Sequence, residues 1–181
     1  MIQCSAFHGR PRARDEGSTL VELLIMVAIV GLVVALAATG WWRSRAAANE
    51  ANAVASMYLT AGAEKAYAIA CGRGAFATSY LVLRAAPPGS DVGFLSADLA
   101  SDAAPLKSGY RFALGAGRGS TAGPTDCHGD ATVTAFYASA VPLSILSGAR
   151  SFAVTIDGTV WQRSGGRAPA EPFGPPAAPI Q

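Results

Sequence analysis

A single carboxylate at the entrance of a long uncharged stretch is the group best placed to do chemistry. Glu22 follows Gly17-Ser18-Thr19-Leu20-Val21, and residues 23–42 carry no charged side chain. A charge at the membrane centre costs about 2.5–3.5 kcal/mol, so we expect Glu22 to be functional and to need a positive partner. Cutting the chain just upstream would create one, an α-amino group with a pKa of about 8.

The other reactive side chains do not form a catalytic set. Cys127-His128 between Asp126 and Asp130 offers metal-ligand types, but two further ligands are missing, and a polar loop holding a disulfide explains these residues better. The glycine-rich segment 115–121 lacks the lysine and the spacing of phosphate-binding loops. The chain has two histidines and no Ser/His/Asp set or close carboxylate pair. The sequence therefore predicts no enzyme, no metal and no cofactor.

Composition favours a membrane-associated chain over one that binds nucleic acid. Only 14% of the 181 residues are charged, the net charge is +2, and the basic residues form no extended cluster. A nucleic-acid surface would need clustered Lys/Arg with aromatic platforms. At 1.5 Å per helical residue, the 20-residue run spans about 30 Å, the thickness of a hydrocarbon core.

The flanks of the run predict its orientation only in part. Residues 1–17 are polar and are expected to stay in the cytoplasm, but arginines stand on both sides of the run, so the positive-inside rule supports this weakly. Ala35-Leu36-Ala37 has the form of a signal cleavage site but lies inside the run. Trp41-Trp42 before Arg43 is typical of an anchor at the membrane surface, and packing in a filament is compatible with it.

The three cysteines give a clue to the compartment. An odd number is awkward in an exported protein, but a cut after Gly17 would remove Cys4. Cys71 and Cys127 would remain, and two thiols in an oxidising compartment can pair. We therefore expect a Cys71–Cys127 disulfide, the alternative being two buried free cysteines.

One long helix is predicted from Ser18 to about Ala70. Thr19 with Glu22 three residues on fits a capping box, no proline occurs between Pro11 and Pro87, and Cys71-Gly72 ends the helix. After residue 42 the pattern becomes amphipathic. The predicted inner face comprises Val54, Tyr58 or Met57, Ala61, Lys65 and Ala68 or Ile69, and the predicted solvent face comprises Arg43, Arg45, Glu50 and Glu64.

The remainder predicts a small antiparallel sheet, so the fold class is α+β. Residues 72–108 are expected to connect the helix to the sheet, with a short strand or turn at 78–83 and a helical turn at 96–99. Three or four strands are expected at 110–114, 132–138, 151–156 and 159–163, the last two joined by Asp157-Gly158. The second half of the helix should cover the sheet, and the tail from residue 164, with five prolines, should be extended or disordered. The predicted inner face of the sheet is Val133, Ala135, Tyr137, Phe152, Val154 and Ile156.

The segment Gly17-Ser18-Thr19-Leu20-Val21-Glu22-Leu23-Leu24 resembles the cleavage and methylation site of type IV prepilins and type II secretion pseudopilins. That site has glycine, a hydroxyl residue, a branched residue and Glu at fixed spacing before an apolar helix. The resemblance is strong over residues 12–45 and weaker at 109–112, 136–142, 148–152 and 157–158.

The resemblance implies a sequence of events. A membrane prepilin peptidase would cut between Gly17 and Ser18 on the cytoplasmic side, and the new amino terminus of Ser18 would be N-methylated. Glu22 would pair with the amine of a neighbouring subunit during assembly. Two positions depart from the family, because Ser18 replaces the usual Phe and Thr39 stands where many members carry a helix proline.

These observations predict four parts: a removed cytoplasmic leader (1–17), a membrane-spanning and assembly half-helix (18–42), a periplasmic or extracellular pilin-like domain (43–163) and a Pro-rich tail (164–181). The predicted function is a structural subunit of a type IV pilus-type filament, stored in the inner membrane and then assembled at the periplasm or cell surface. A type II secretion pseudopilin or minor pilin is one alternative, and a membrane-anchored periplasmic binding domain that never polymerises is another. Expected partners are copies of itself or related pilins, prepilin peptidase and inner-membrane assembly machinery.

Overall fold

The computed structural model describes residues 19–180, without the side chains of residues 37–39. The chain divides into two compact units, residues 1–40 and 41–181. The described part of the first unit is helical, whereas the second combines helix, sheet and long loops. The expected α+β class is therefore present in the described chain.

Helix α1 covers Leu20–Ala70, within two residues of the predicted limits. At its end the Tyr67 carbonyl accepts from the N–H groups of both Cys71 and Gly72. Arg73 follows with a φ of 53°, which turns the chain away from the helix axis. A Cβ at Gly72 would stand 2.1 Å from the Ala75 carbonyl oxygen, so the reversal requires glycine.

The buried face of α1 within the second unit recurs every seven residues. Glu50, Met57, Glu64 and Cys71 form one buried row of this face. Ala53, Thr60 and Tyr67 form the second, which is the spacing of a helix packed along one side. The predictions for Met57 and Ala61 are confirmed. Those for Lys65, Glu50 and Glu64 are wrong, because the lysine is exposed and both glutamates are buried.

Six antiparallel strands follow in the order β1 to β6, each paired with its neighbour in sequence. They are β1 Leu106–Lys107, β2 Tyr110–Ala116, β3 Phe136–Pro142, β4 Arg150–Thr155, β5 Trp161–Ser164 and β6 Ala178–Pro179. The four predicted strands correspond to β2 to β5, and the Asp157-Gly158 turn joins β4 to β5 with Gly158 at a φ of 79°. The two-residue strands β1 and β6 were not predicted.

Strand β3 begins later than expected and turns its other face to the core. Residues 132–135 precede the strand, and Val133 instead forms bridges with Phe76 and Ala122. Ala138 pairs with Val154 and Ala140 with Phe152, so the even-numbered residues of β3 share the core face of β4. The inward prediction therefore fails for Tyr137 and for Ile156, which is exposed, and holds for Phe152 and Val154. Phe136 is fully buried and occupies the core position that was expected for Ala135 and Tyr137.

The connection between α1 and β1 holds a second short helix, α2, at Tyr80–Arg84. The sequence predicted a strand or turn there. Tyr80 and Leu83 are both buried in the core, so α2 covers part of the sheet together with α1. The predicted turn at 96–99 is confirmed, because the N–H groups of Leu99 and Ala100 both donate to the Ser96 carbonyl.

The proline-rich tail packs on the sheet. β6 pairs with β5, the Phe173 ring stacks on Trp161 at 5.1 Å, and Ile180 packs against the core. Of the two alternatives expected for the tail, extended or disordered, the described residues 164–180 agree with the extended one, since they contain no helix and end in strand β6. Apolar side chains spaced between the prolines explain the result, since they give the tail enough buried surface to offset the entropy of ordering it.

Candidate assembly site

The first turn of α1 positions the carboxylate singled out in the sequence. The Glu22 N–H donates to Thr19 Oγ1 at 3.3 Å, and the Leu23 N–H donates to the Thr19 carbonyl at 3.1 Å. Thr19 is thus the N-cap, as the capping pattern predicted. Glu22 is exposed in the first turn, where the helix dipole favours a negative charge. The carboxylate is therefore held at the helix entrance and open to a partner.

Gly17 and Ser18, the predicted cleavage and methylation positions, lie outside the described residues. The predicted spanning segment is described almost completely. Every side chain described between Leu20 and Leu36 is exposed, and mean hydropathy reaches 2.9 over an 18-residue window. By length and composition this helix is able to cross a membrane. An apolar surface of this extent requires a cover, which the described residues do not provide.

Glu50 fastens α1 to the end of the sheet. Its Oε1 accepts from the N–H groups of Ala149 at 2.7 Å and Arg150 at 3.2 Å, and its Oε2 lies 2.8 Å from Arg150 Nε and 2.6 Å from Nη2. Arg150 also donates through Nη1 to Gln162 Oε1 at 2.6 Å. One carboxylate thus accepts hydrogen bonds both from the backbone N–H groups at the start of β4 and from the guanidinium group of Arg150.

Glu64 is a fully buried carboxyl group in the middle of the helix–sheet contact. Its Oε2 accepts from the Ala77 N–H at 2.9 Å, whereas its Oε1 has no hydrogen-bond partner among the described groups. Burial raises the pKa of Glu64 to about 8, although the Ala77 hydrogen bond opposes the rise. Glu64 is therefore protonated at neutral pH and ties the loop after α1 to the helix as a neutral acid.

The Cys71–Cys127 disulfide predicted from the cysteine count is present, with 4.8 Å between the two Cα atoms. It joins the end of α1 to the loop between β2 and β3, and the Cys127 N–H also donates to the Cys71 carbonyl at 3.1 Å. The bond closes a separation of 56 residues. In the chain-entropy account a loop of this length gives about 4 kcal/mol.

Asp126 organises the loop around the disulfide. Its Oδ1 accepts from the N–H groups of His128 and Asp130, both at 2.8 Å, and its Oδ2 accepts from the Tyr67 hydroxyl at 2.8 Å. Burial acts to raise the pKa of Asp126, but these hydrogen bonds outweigh it and hold the pKa below the ordinary value. The loop is thus fixed to α1 by a charged acceptor as well as by sulfur.

Cys71, Cys127 and His128 bring potential metal-ligand atoms within 4.8 Å of one another. Both sulfurs are joined in the disulfide, so neither is available as a thiolate. His128 Nδ1 lies 3.3 Å from Cys127 Sγ and 3.9 Å from Asp126 Oδ2. A disulfide-bearing polar loop accounts for these residues.

Sequence reasoning singled out Glu22, Cys71 and Cys127 but missed the structural roles of Glu50, Glu64 and Asp126. The signal for the glutamates was their spacing: with Met57 between them, they recur every seven residues up to Cys71. Residues seven apart lie on the same side of a helix, so a side that ends in a disulfide cysteine is expected to be turned toward the rest of the domain.

Comparisons of the chain with known protein families, with curated proteins and with solved structures find no match.

Proposed function

We propose that this protein is a pilin-like structural subunit that polymerises through its N-terminal helices into a type IV pilus-type filament. The observation that carries the proposal is an exposed apolar helix with one carboxylate in its capped first turn. The apolar segment would lie in the inner membrane before assembly and against other subunits afterwards. A minor pilin or a type II secretion pseudopilin would use the same helix in the same way.

Processing supplies the group that Glu22 lacks. Cleavage between Gly17 and Ser18 by prepilin peptidase would leave a positive amino terminus four residues before Glu22, and N-methylation of Ser18 would keep it positive. In a bundle of apolar helices an unpaired carboxylate is costly, and pairing with a neighbour's ammonium group removes much of that cost. Only the correct stagger between helices brings the two charges together, so Glu22 sets the register of assembly.

The organisation of the second unit supports the same proposal. The second half of α1 is covered by the sheet and fastened by Glu50, Glu64 and the disulfide, and a domain fixed in this way leaves the first half free for contacts with other copies. Small residues at Gly31 and Ala35 lie four apart on that half. A Cβ at Gly31 would meet no described atom within 4 Å apart from the adjacent backbone of its own helix, so its small size is available for the approach of another helix.

The test replaces Glu22 and follows filament formation. In the strain that makes the protein, Glu22→Ala should abolish or strongly reduce filaments recovered from the cell surface or periplasm, while membrane levels of the subunit are unchanged. Asp91→Ala, which removes an exposed carboxylate from the second unit, is the matched control and should assemble normally. Mass spectrometry of both preparations should find chains that begin at Ser18 with one methyl group added.

Two results would overturn the proposal. Normal filaments from the Glu22→Ala strain would remove the role of Glu22. A purified chain that is intact from Met1 to Gln181, found in the membrane without filaments under any condition, would instead favour an anchored domain that does not polymerise.

A further inference from the structure

An exposed apolar loop lies at one end of the sheet. The loop between β3 and β4 carries Leu143, Ile145 and Leu146, all exposed. Ile145 is 89% exposed, the highest value among the large apolar side chains that the structure describes. Three such side chains within four residues form an apolar tip whose contact with water is unfavourable, so a covering surface is expected.

The loop is held beside the first turns of α1 in the second unit. Asn49 Nδ2 donates to the Ser147 carbonyl at 3.1 Å, and Glu50 accepts from the N–H that follows the loop. Leu146 and Ser147 line a cavity of about 300 Å³ together with Trp42 and Arg45. The apolar tip therefore lies beside the two tryptophans that end the uncharged run.

Trp41 and Trp42 are both exposed, and so are Arg43 and Arg45. Tryptophan side chains are favoured at the boundary between membrane and water, and arginines near that boundary attract anionic headgroups. We propose that Ile145 and Leu146 enter the membrane–water boundary beside Trp41 and Trp42, giving the subunit a second contact with an anionic bilayer. This inference rests on the membrane-spanning helix of the proposed function. We name Trp41, Trp42, Ile145 and Leu146 the interfacial patch.

Charge favours lipid over another copy of the chain as the occupant of the interfacial patch. No Asp or Glu occurs between Glu22 and Glu50 in the sequence, and Arg45 is the only charged residue that lines the cavity beside Trp42. A second copy would bring the same two arginines to the contact, and like charges repel. Anionic headgroups complement them, and the loop adds apolar area at the depth where the tryptophans are stable.

The opposite end of the sheet supplies a matched control. β4 runs from Arg150, beside Glu50, to the turn at Gly158, where a Cβ would stand 2.9 Å from Lys65 Nζ. Glu50 and Lys65 are 15 residues apart on α1, about 22 Å at 1.5 Å per residue. Ile156 is 48% exposed next to that distant turn. It has the same side chain as Ile145 but should remain in water.

The experiment labels the full chain at single cysteines in a Cys4→Ser background, in which Cys71 and Cys127 are bonded. Ile145→Cys, Ile156→Cys and Val30→Cys each carry an NBD fluorophore and are reconstituted in vesicles of phosphatidylethanolamine and phosphatidylglycerol. Nitroxide-bearing lipid then reports contact with the bilayer. We expect quenching at position 145 to be several-fold greater than at position 156, strong quenching at position 30, and a loss of the effect at 145 when phosphatidylglycerol is omitted.

The label at position 30 separates failure of this inference from failure of the proposed function. Quenching at position 30 with equally weak quenching at 145 and 156 would overturn the loop contact alone. No quenching at position 30 would overturn the membrane span and this inference together. A label at 145 that is shielded from iodide but insensitive to nitroxide lipid would identify a second copy as the occupant and would overturn the lipid contact.

Discussion

Glu64 is a buried carboxyl group whose ionised form is unfavourable in the folded chain. Its pKa rises from 4.5 to about 8 because burial in the core disfavours the ionised carboxylate, and the hydrogen bond from the Ala77 N–H only partly offsets this effect. Between these two values the folded chain binds a proton that the unfolded chain has lost. The contribution of Glu64 to stability is therefore fully present below pH 4.5, decreases as the pH rises, and is lost above about pH 8.

We predict that the free energy of unfolding of residues 41–181 decreases between pH 5 and pH 8, and that Glu64→Gln flattens this dependence. Glutamine is neutral throughout and still accepts from the Ala77 N–H. Urea denaturation at a series of pH values measures the effect, with Asp91→Asn, an exposed carboxylate, as the control that retains the slope. A Glu64→Gln slope equal to that of the wild type would show that Glu64 is not the titrating group.

Residue type misled the sequence analysis at Glu64, whereas residue spacing would have been the better guide. The charge of a glutamate placed Glu50 and Glu64 on the solvent face, since charged side chains are seldom fully buried. Their distance of 14 residues from each other, with Met57 midway, places them on the core face instead. The hydrogen-bond partners of the two glutamates cannot be predicted from a pattern in one sequence, because Ala77 and Arg150 reach them only through tertiary packing.

At the scale of elements, α1 and the sheet are joined near one end by Glu50 and Arg150. We predict that Glu50→Ala destabilises residues 41–181 by about 2 kcal/mol or more, because it leaves two backbone N–H groups and an arginine without their acceptor. Glu50→Gln should cost less, since it keeps an acceptor for Ala149. Chemical denaturation followed by circular dichroism measures both.

The control is the ion pair of Lys107 and Asp98, whose Nζ and Oδ2 atoms lie 2.7 Å apart and whose carboxylate side chain is 57% exposed, against 11% for that of Glu50. Asp98→Ala should cost about 1 kcal/mol or less, as exposed ion pairs usually do. Equal losses from Glu50→Ala and Asp98→Ala would mean that Glu50 acts only as a surface charge.

Helices and strands were predictable where capping and turn residues set their limits. They were not predictable where contacts between residues distant in sequence set them. The limits of α1 and the β4–β5 hairpin follow from capping residues and from Asp157-Gly158, which act within a few residues. The inward-facing side of β3 does not follow from local signals, because Val133 pairs with Phe76 and Ala122 instead of belonging to the strand. Strand β6 depends on the stacking of Phe173 on Trp161. No local pattern in the proline-rich tail predicts that contact.

For the whole molecule, the division at residue 40 predicts that the second unit folds without the first. Removing residues 1–40 should give a soluble monomer with native-like near-ultraviolet circular dichroism, because the core is contained within the second unit. Size-exclusion chromatography with light scattering measures its mass, and the full chain, which should require detergent, is the comparison. A truncated chain that aggregates or lacks tertiary signal would show that the apolar helix is needed for folding.

The two margins of the sheet bear on how such a chain avoids unwanted association. β1 and β6 are only two residues long, and they carry Lys107 and Pro179. Sheet edges this short, with a lysine and a proline, offer an incoming strand few N–H and C=O groups to extend. Molecules crowded side by side, as in the proposed filament, would therefore be poorly able to aggregate irreversibly through pairing of their strands.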